Sequence, residues 1–300
     1  MSAMEAPFAQ AEGSDCARNR AVSARRHPAP ARLTVRRARA DHAGMLLCID
    51  AGNTNIVAGI YRRVPANGEL PRLEAEFRLR TVPAKTEDEY ATQFKAMLAD
   101  KGVDAASVDR VVVSSVVPPL TKAMLAMGSR LFGVEPLLVG PGAYGRLPVK
   151  VVAADEIGTD LVADAVAARA LSAEAAIVVD FGTALTFTAV KADGTIEGVA
   201  IAPGLGTAVA ALASSTAQLP NVPLAAPPSA LGRNTVQAIQ SGVVFGYAGL
   251  VSEVVRRMRA ELGGAVTVIA TGGLHRVVAP LVDSFDLVAP TLTLDGLALI

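Results

Sequence analysis

The sequence contains few cysteines, no tryptophan and no excess of either charge. Its two cysteines are Cys16 and Cys48; because Cys48 falls in a predicted strand, we expect no structural disulfide and a reducing, cytoplasmic location. Basic residues number 28 and acidic residues 28, so no overall field would attract nucleic acid or a membrane surface. No apolar run reaches the roughly 18–20 residues of a membrane span. We therefore expect neither a nucleic-acid nor a membrane partner.

The chain is long enough for one large or two medium domains, with 300 residues of which 51% are hydrophobic. Residues 1–44 differ from the rest, because they are rich in alanine and arginine and show no sustained apolar periodicity. We predict that 1–44 is a disordered extension, or a segment upstream of a true start at Met45. A transit peptide and a basic nucleic-acid-binding arm are the alternatives.

The stretch 46–61 predicts a β-hairpin around a tight turn. An apolar run ends on Asp50, passes through Gly52 and small polar residues, and resumes as a second apolar run. Gly52 allows the backbone to approach a ligand closely, and the N–H groups of such a turn form an anion-binding concavity. Asp50 could hold a metal ion or a water that faces the same anion. A plain hairpin turn is the alternative.

The same plan occurs again at 176–190, where an apolar run leads to Asp180, Gly182 and Thr183 before a second apolar run. Two such hairpins predict duplicated halves that face each other across a cleft. The arrangement resembles the superfamily of acetate and sugar kinases, heat-shock ATPases and actin, in which paired turns grip the phosphates of a nucleotide. For Asp180 the alternative is a strand-end residue that caps its own turn.

The order of the remaining elements also repeats. Further strands are predicted at 73–81, 111–117, 136–139, 198–202, 266–270 and near 286–288, and helices after 86, near 120–131, at 158–172, after 206, at 235–262 and after 274. We therefore predict an α/β chain of two duplicated ribonuclease-H-like domains, 45–157 and 158–300, with ATP in the cleft between them.

Eight short motifs, in order along the chain, narrow the resemblance. They are Asp50-x-Gly-Asn-Thr, Ser115-Val-Val-Pro-Pro, Gly158-x-Asp160, Asp180-Phe-Gly-Thr-Ala, Ala202-Pro-Gly, Thr216-Ala-x-Leu-Pro, Gly232-Arg-x-Thr and Thr271-Gly-Gly-Leu. The set is similar to type III pantothenate kinases over essentially all of 45–300. The resemblance implies ATP-dependent phosphorylation of pantothenate to 4′-phosphopantothenate, the first step of coenzyme A synthesis. It also implies a homodimer that needs Mg²⁺ and a monovalent cation, K⁺ or NH₄⁺.

The resemblance further implies which residues bind ATP and the cations. It makes Asp50 a Mg²⁺ site through the phosphates and Asp180 a ligand of the monovalent cation. It places the turn that begins at Thr271 beside the adenosine, although an ordinary strand-to-helix connection is the alternative. The ATP-binding residues that it implies are Asp50, Ala51, Gly52, Asn53, Thr54, Asn55, Ile56, Val57 and Thr183.

Asp160 is the implied catalytic base. Transfer of a phosphoryl group to a primary alcohol needs a carboxylate that accepts the hydroxyl proton; the alternative for an aspartate at a helix start is a cap. Tyr144 could instead be a surface loop aromatic. The pantothenate-binding residues that the resemblance implies are Tyr144, Gly158, Thr159, Asp160, Leu161 and Thr216.

Three positions depart from the family pattern. Leu161 stands where the family has arginine, and Leu185 and Thr188 replace family residues of the second turn. The chain is therefore predicted to be a divergent working kinase, or a degenerate nucleotide-binding copy with a regulatory role, since some family members are described as transcriptional accessory factors. A nearby basic residue, Arg146 or Lys150, could supply the missing charge. The last histidine, His275, is expected to be a solvated helix residue.

Overall fold

The computed structural model describes residues 44–62 and 71–300. The predicted extension 1–44 lies, except for Gly44, outside the described residues. The rest of the chain forms two five-stranded sheets with helices packed on them.

The first sheet has the strand order β3-β2-β1-β4-β5. Strands β1 and β2 form the predicted antiparallel hairpin, and β1 pairs in parallel with β4. Helix α1 begins with a capping box, in which Thr86 and Glu89 satisfy each other's backbone N–H groups. The elements are β1 Met45–Ala51, β2 Asn55–Arg62, β3 Leu73–Arg80, α1 Glu87–Asp100, β4 Val108–Ser115, α2 Pro118–Phe132, β5 Leu137–Leu138 and α3 Pro141–Tyr144.

The second sheet has the order β10-β9-β6-β7-β8, which is the order of the first sheet read from the other edge. The predicted duplication is therefore confirmed. The elements are α4 Thr159–Leu171, β6 Ala175–Phe181, β7 Ala184–Val190, β8 Ile196–Pro203, α5 Leu205–Ser215, α6 Thr235–Leu262, β9 Val266–Thr271, α7 His275–Val278, β10 Leu287–Val288 and α8 Leu292–Leu299. The boundary between 157 and 158 stays a prediction.

Helices α4 and α8 form a layer between the two sheets. One hydrophobic cluster joins both helices to the first sheet through Cys48, and another joins them to the second sheet through Val178. Eight consecutive residues of α4, from Leu161 to Ala168, are buried, as expected for a helix that is apolar nearly all round. Side chains alternate between the faces of a strand, so Asp50 and Asp180, two residues beyond Cys48 and Val178, face this inner layer.

Helix α8 was missed in the sequence, where the last predicted element is the strand near 286–288. It packs against α4 so closely that a Cβ atom on Gly296 would overlap the carbonyl oxygen of Ala163. The helix also carries Asp295, which accepts a 2.8 Å hydrogen bond from the hydroxyl of Tyr61 on β2. These contacts fix the position of α4.

Gly296→Ala is expected to destabilise the protein by about 1–3 kcal/mol, because the added methyl group must push α8 away from the backbone of α4. Urea unfolding would measure the change. The matched control is Gly249→Ala on α6, where a Cβ meets nothing within 4 Å and alanine should raise helix stability by up to about 1 kcal/mol. Equal stability of the two variants would show that the α4–α8 contact is not tight.

Helix α6, with 28 residues, is long and apolar enough to cross a membrane by length and composition alone. The core helix of a soluble protein passes the same test, and α6 contributes Ile239, Val243, Val251 and Val255 to the core of the second half.

Candidate active site

The two predicted turns meet between the sheets. The hydroxyl oxygens of Thr54 and Thr183 lie 2.8 Å apart and share a hydrogen bond. The first turn is closed by the Gly52 N–H, which donates to the Asn55 carbonyl over 3.0 Å. Thr81, directly after β3, donates its hydroxyl to the Gly52 carbonyl over 2.6 Å. Each half therefore presents one hydroxyl-bearing turn to the same point.

The second turn is held from the start of α5. The N–H of Gly204 and the hydroxyl of Thr207 both donate to the Thr183 carbonyl, over 3.0 and 2.8 Å. The Thr183 side chain is exposed, and its hydroxyl bonds to the Thr54 hydroxyl and not to the backbone of its own turn. It is therefore available to a ligand that enters between the turns.

The first-turn residues differ in what they can offer. Asn53 and Thr54 are exposed at the tip, whereas Ala51 and Ile56 are fully buried in the core formed with α1 and α2. Ala51 and Ile56 can therefore contribute only backbone groups to a ligand. Val57 packs against the inner layer beside α4 and α8.

A chain of hydrogen bonds places the start of α4 next to Asp50. Ser114, at the end of β4, donates its hydroxyl to Asp50 Oδ1 over 3.2 Å and lies 2.8 Å from the hydroxyl of Thr159. Asp160 follows in the first turn of α4, where its Oδ1 accepts the Leu161 N–H over 2.9 Å. Ser114 was missed in the sequence, although a serine that ends a run of buried valines was the available signal.

Asp164 is a second residue missed in the sequence. It lies one helical turn beyond Asp160 and is fully buried. Its Oδ1 accepts the hydroxyl of Thr293 on α8 over 2.7 Å, and its Oδ2 has no hydrogen-bond partner among the described residues. An acidic residue within an otherwise apolar run of α4 was the signal in the sequence.

Burial raises the pKa values of all four aspartates, and the Asp160 carboxylate raises those of Asp50, Asp164 and Asp180 further. Burial, with the Asp160 carboxylate next in effect, raises the pKa of Asp50 to about 7 against the opposing hydrogen bond from Ser114. Burial and Asp160 likewise raise the pKa of Asp180 to about 7. Burial is the main cause that raises the pKa of Asp160 and, more strongly, that of Asp164. Within 44–62 and 71–300 no basic side chain forms an ion pair with any of the four.

These pKa values predict how stability depends on pH. Because the folded protein binds protons at Asp50 and Asp180 more tightly than the unfolded chain, their contribution is complete below about pH 4 and is lost as the pH rises through about 7. The metal-free protein should therefore melt at a lower temperature at about pH 8 than at about pH 5.5. Asp180→Asn removes one titrating group and should reduce the difference between the melting temperatures at the two pH values. Asp155→Asn, at an exposed site, should leave that difference unchanged. A melting temperature that rises between these pH values in the wild type would contradict the assignment.

The turn that begins at Thr271 packs against Asp180. Gly272 has φ +83°, and a Cβ there would overlap the Asp180 carboxylate, so only glycine fits. The Gly272 carbonyl accepts a 2.6 Å hydrogen bond from Nδ1 of His275. His275 is only 6% exposed, so the expectation of a solvated histidine was wrong: its ring holds the glycine turn.

Of the predicted pantothenate residues, all but Thr216 are associated with Asp160. Gly158 is the N-cap of α4, and Leu161 is buried beside Asp160. Tyr144 is buried on α3 with its hydroxyl unpartnered among the described residues, and burial and Asp160 raise its pKa; it is not a surface aromatic. Thr216 is exposed at the end of α5 and donates its hydroxyl to the Leu212 carbonyl over 2.7 Å. No hydrogen bond among the described residues joins Thr216 to Tyr144 or to the start of α4.

The two basic residues suggested as substitutes for an arginine at 161 have other surroundings. Lys150 forms an exposed ion pair with Asp193 over 2.7 Å. Arg146 lines a separate cavity of about 420 Å³ together with the C-terminal Ile300. Neither is joined to Asp160 by a hydrogen bond or an ion pair in the described residues.

Two halves of one topology, each with an aspartate-led turn directed to a shared cleft, define the class of the acetate and sugar kinases, heat-shock ATPases and actin. Residues 46–257 match the family model for type III pantothenate kinase. A relative of that name from Moorella thermoacetica is 42% identical over 256 residues, which cover 85% of this chain and 98% of the relative. A second, from Treponema pallidum, is 46% identical over 84% of this chain and 92% of the relative. The chain belongs to the type III pantothenate kinase family.

A solved structure has a similar fold. It is the crystal structure of a conserved protein assigned to the Baf family of transcriptional activators, from Campylobacter jejuni. The TM-score is 0.51 at 19% identity, with 83% of this chain and 94% of the other covered.

Proposed function

We propose that the protein transfers the terminal phosphoryl group of ATP to the 4′-hydroxyl of pantothenate and so forms 4′-phosphopantothenate. The observation that carries the proposal is the chain from Asp50 through Ser114 to Thr159, which places Asp160 beside the paired turns. In-line transfer needs a nucleotide and a base that are held next to each other. The match to a family of pantothenate kinases supports the choice of alcohol.

In this mechanism the two turns hold the phosphates of ATP. Thr54 and Thr183 exchange their mutual hydrogen bond for hydrogen bonds to phosphate oxygens. The Gly52 N–H closes the first turn, so the backbone N–H groups offered to the same anion are those of Asn53 and Thr54 at the tip. The Thr271–Leu274 turn lies against the adenosine, where glycine permits close approach. Held from both halves, the nucleotide is oriented for attack on its last phosphorus.

Asp160 accepts the proton of the substrate hydroxyl. Its pKa is raised by burial, which makes its carboxylate a stronger base than an exposed aspartate. Its fixed hydrogen bond to the Leu161 N–H orients one oxygen, so the other is left for the substrate. Pantothenate is oriented by the buried hydroxyl of Tyr144, by Gly158 and by Thr159. Leu161 offers it apolar contact. Thr216 is also proposed as a pantothenate contact.

The site suits hard cations. Its ligand atoms are oxygens: the carboxylates of Asp50, which accepts one hydrogen bond from Ser114, and of Asp180. Three further oxygens have no hydrogen-bond partner in the described chain, namely Oδ2 of Asp164 and the buried hydroxyls of Thr186 and Thr188. Such donors fit Mg²⁺ and K⁺. Asp50 would hold Mg²⁺ through the phosphates, and Asp180 would hold K⁺ or NH₄⁺. Bound cations neutralise charge that develops on the transferred phosphoryl group. No three acidic, histidine or cysteine side chains in the described ranges form a metal-ligand set, so oxygens of the nucleotide phosphates and of water would complete the Mg²⁺ shell.

We further propose a cytoplasmic homodimer that binds neither nucleic acid nor membrane. The edge strand β8 supports dimerisation, because Ile201 on it is 70% exposed and Val199 is 37% exposed, and a second copy would cover such apolar residues. A degenerate regulatory protein is not favoured, because the relatives compared above are named as kinases.

The proposal is tested by ADP release from ATP in the presence of pantothenate, with K⁺ replaced by Na⁺ or Mg²⁺ removed by a chelator in parallel reactions. We expect release that needs pantothenate, falls steeply without Mg²⁺ and is weaker in Na⁺. Release that is independent of pantothenate would indicate an ATPase, and would overturn the proposed reaction.

A further inference from the structure

Arg78 lies on the inner face of the first sheet, in the same row as Asp50. Asp50 is paired with Val57, and Val57 with Arg78, across β1, β2 and β3. Directly paired residues of adjacent strands point to the same face. Strands lie about 4.8 Å apart, so the Cα atoms of Asp50 and Arg78 are separated by about 10 Å. The Arg78 side chain therefore starts at the edge of the same cleft.

The guanidinium group of Arg78 reaches the opposite half of the molecule. Its Nη1 lies 3.5 Å from the position that a Cβ on Gly273 would occupy. Gly273 follows Gly272, which packs against Asp180 on β6. Arg78 is thus a side chain of the first sheet that spans the cleft to the glycine turn of the second.

The charge of Arg78 is not used within the described chain. Arg78 is exposed and appears in none of the ion pairs of residues 44–62 and 71–300. Four aspartates lie near the paired turns, and none of them has a basic partner among the ion pairs of the residues that the structure describes. A planar guanidinium fork fits phosphate oxygens with two parallel hydrogen bonds. An anion in the cleft would therefore find its cationic contact at Arg78.

The position of Arg78 determines which phosphates of a nucleotide it can contact. The transferred phosphoryl group must lie near Asp160, which the Ser114 and Thr159 hydrogen bonds hold beside Asp50. Arg78 is two strands away from Asp50 and touches the turn after β9. It therefore faces the phosphates next to the nucleoside, not the one that is transferred.

We propose that Arg78 binds the α- and β-phosphates of the nucleotide from the side of the first sheet. The proposal rests on the proposed kinase function, because it takes the ligand of the cleft to be ATP. Arg78 is then a nucleotide-binding residue that lies outside the turns at 50–57 and 180–183, and it does not contact pantothenate.

Equilibrium binding of ATP and ADP to the full chain, without pantothenate, tests this assignment. Arg78→Gln should weaken both nucleotides alike, by about 10- to 100-fold, the range expected for loss of a charge-assisted hydrogen bond. Arg78→Lys keeps the charge but lacks the planar guanidinium, so its nucleotide affinity should lie between those of the wild type and of Arg78→Gln. The matched control is Arg62→Gln on β2, an exposed arginine paired with Glu74, which should bind as the wild type does. Unchanged melting temperatures would verify that the variants fold.

Two outcomes would overturn the assignment alone, with the kinase function intact. One is wild-type affinity of Arg78→Gln for both nucleotides, above all if the KM for pantothenate rises instead. The other is a loss confined to ATP, which would place Arg78 on the terminal phosphate. A wild-type chain that binds no nucleotide would overturn both this proposal and the proposed function.

Discussion

Asp160→Asn is expected to lower kcat for pantothenate phosphorylation by about 10²- to 10⁴-fold, the usual contribution of a general base. Asparagine keeps the size of the side chain and can still accept the Leu161 N–H, but it cannot take a proton from the substrate. The variant removes a carboxylate whose pKa is raised by burial, so it should fold at least as well as the wild type at neutral pH.

The loss should appear in kcat with little change in nucleotide affinity, because the phosphate turns are intact. Asp155→Asn, at an exposed aspartate just before α4, is the matched control and should be fully active. Turnover by Asp160→Asn at the wild-type rate would remove Asp160 from the mechanism.

Leu161→Arg is expected to lower the KM for pantothenate by roughly tenfold to a hundredfold, the worth of a hydrogen bond between charged groups. Leu161 is buried in the first turn of α4 next to Asp160, and an arginine there would present a fixed charge to the substrate carboxylate. Asp164 lies three residues further along α4, on the same side of the helix as Leu161, and its carboxylate would offset part of the cost of burying a cation.

The KM for ATP should stay nearly unchanged in Leu161→Arg, because the nucleotide turns are untouched. Leu161→Met is the matched control, since it keeps the volume without adding charge. If Leu161→Arg instead abolishes an activity that the wild type has, the pocket is built for a less anionic alcohol than pantothenate.

Much of the fold could be predicted from local patterns. The two hairpins follow from an apolar run, an aspartate, a glycine and a second run, and the helix predicted at 235–262 has the observed bounds of α6. These features depend on residues that are close in sequence, so the spacing of apolar residues along the chain is enough to predict them. The order of the elements along the chain then predicted that the two sheets share one topology, because the second half repeats the first.

The missed features all depend on contacts between distant parts of the chain. Helix α8 has only eight residues and is apolar on nearly every side, so it shows no amphipathic period; its place between the sheets follows from packing on α4. The bond from Thr293 to Asp164 joins residues 129 positions apart. The reach of Arg78 to Gly273 likewise exists only after the two halves have met. The burial of His275 follows from the packing of α7 on α6 within the second half.

This chain is proposed to phosphorylate pantothenate although it has leucine at 161. Phosphorus NMR of a reaction that contains the full chain, ATP, Mg²⁺, K⁺ and pantothenate tests that claim. We predict a phosphomonoester signal, coupled to the methylene protons next to the 4′-oxygen, that grows with the ADP signals and is absent with Asp160→Asn. Binding of ATP without any phosphomonoester signal would contradict the claim and would leave a nucleotide-binding protein that has kept the fold without the reaction.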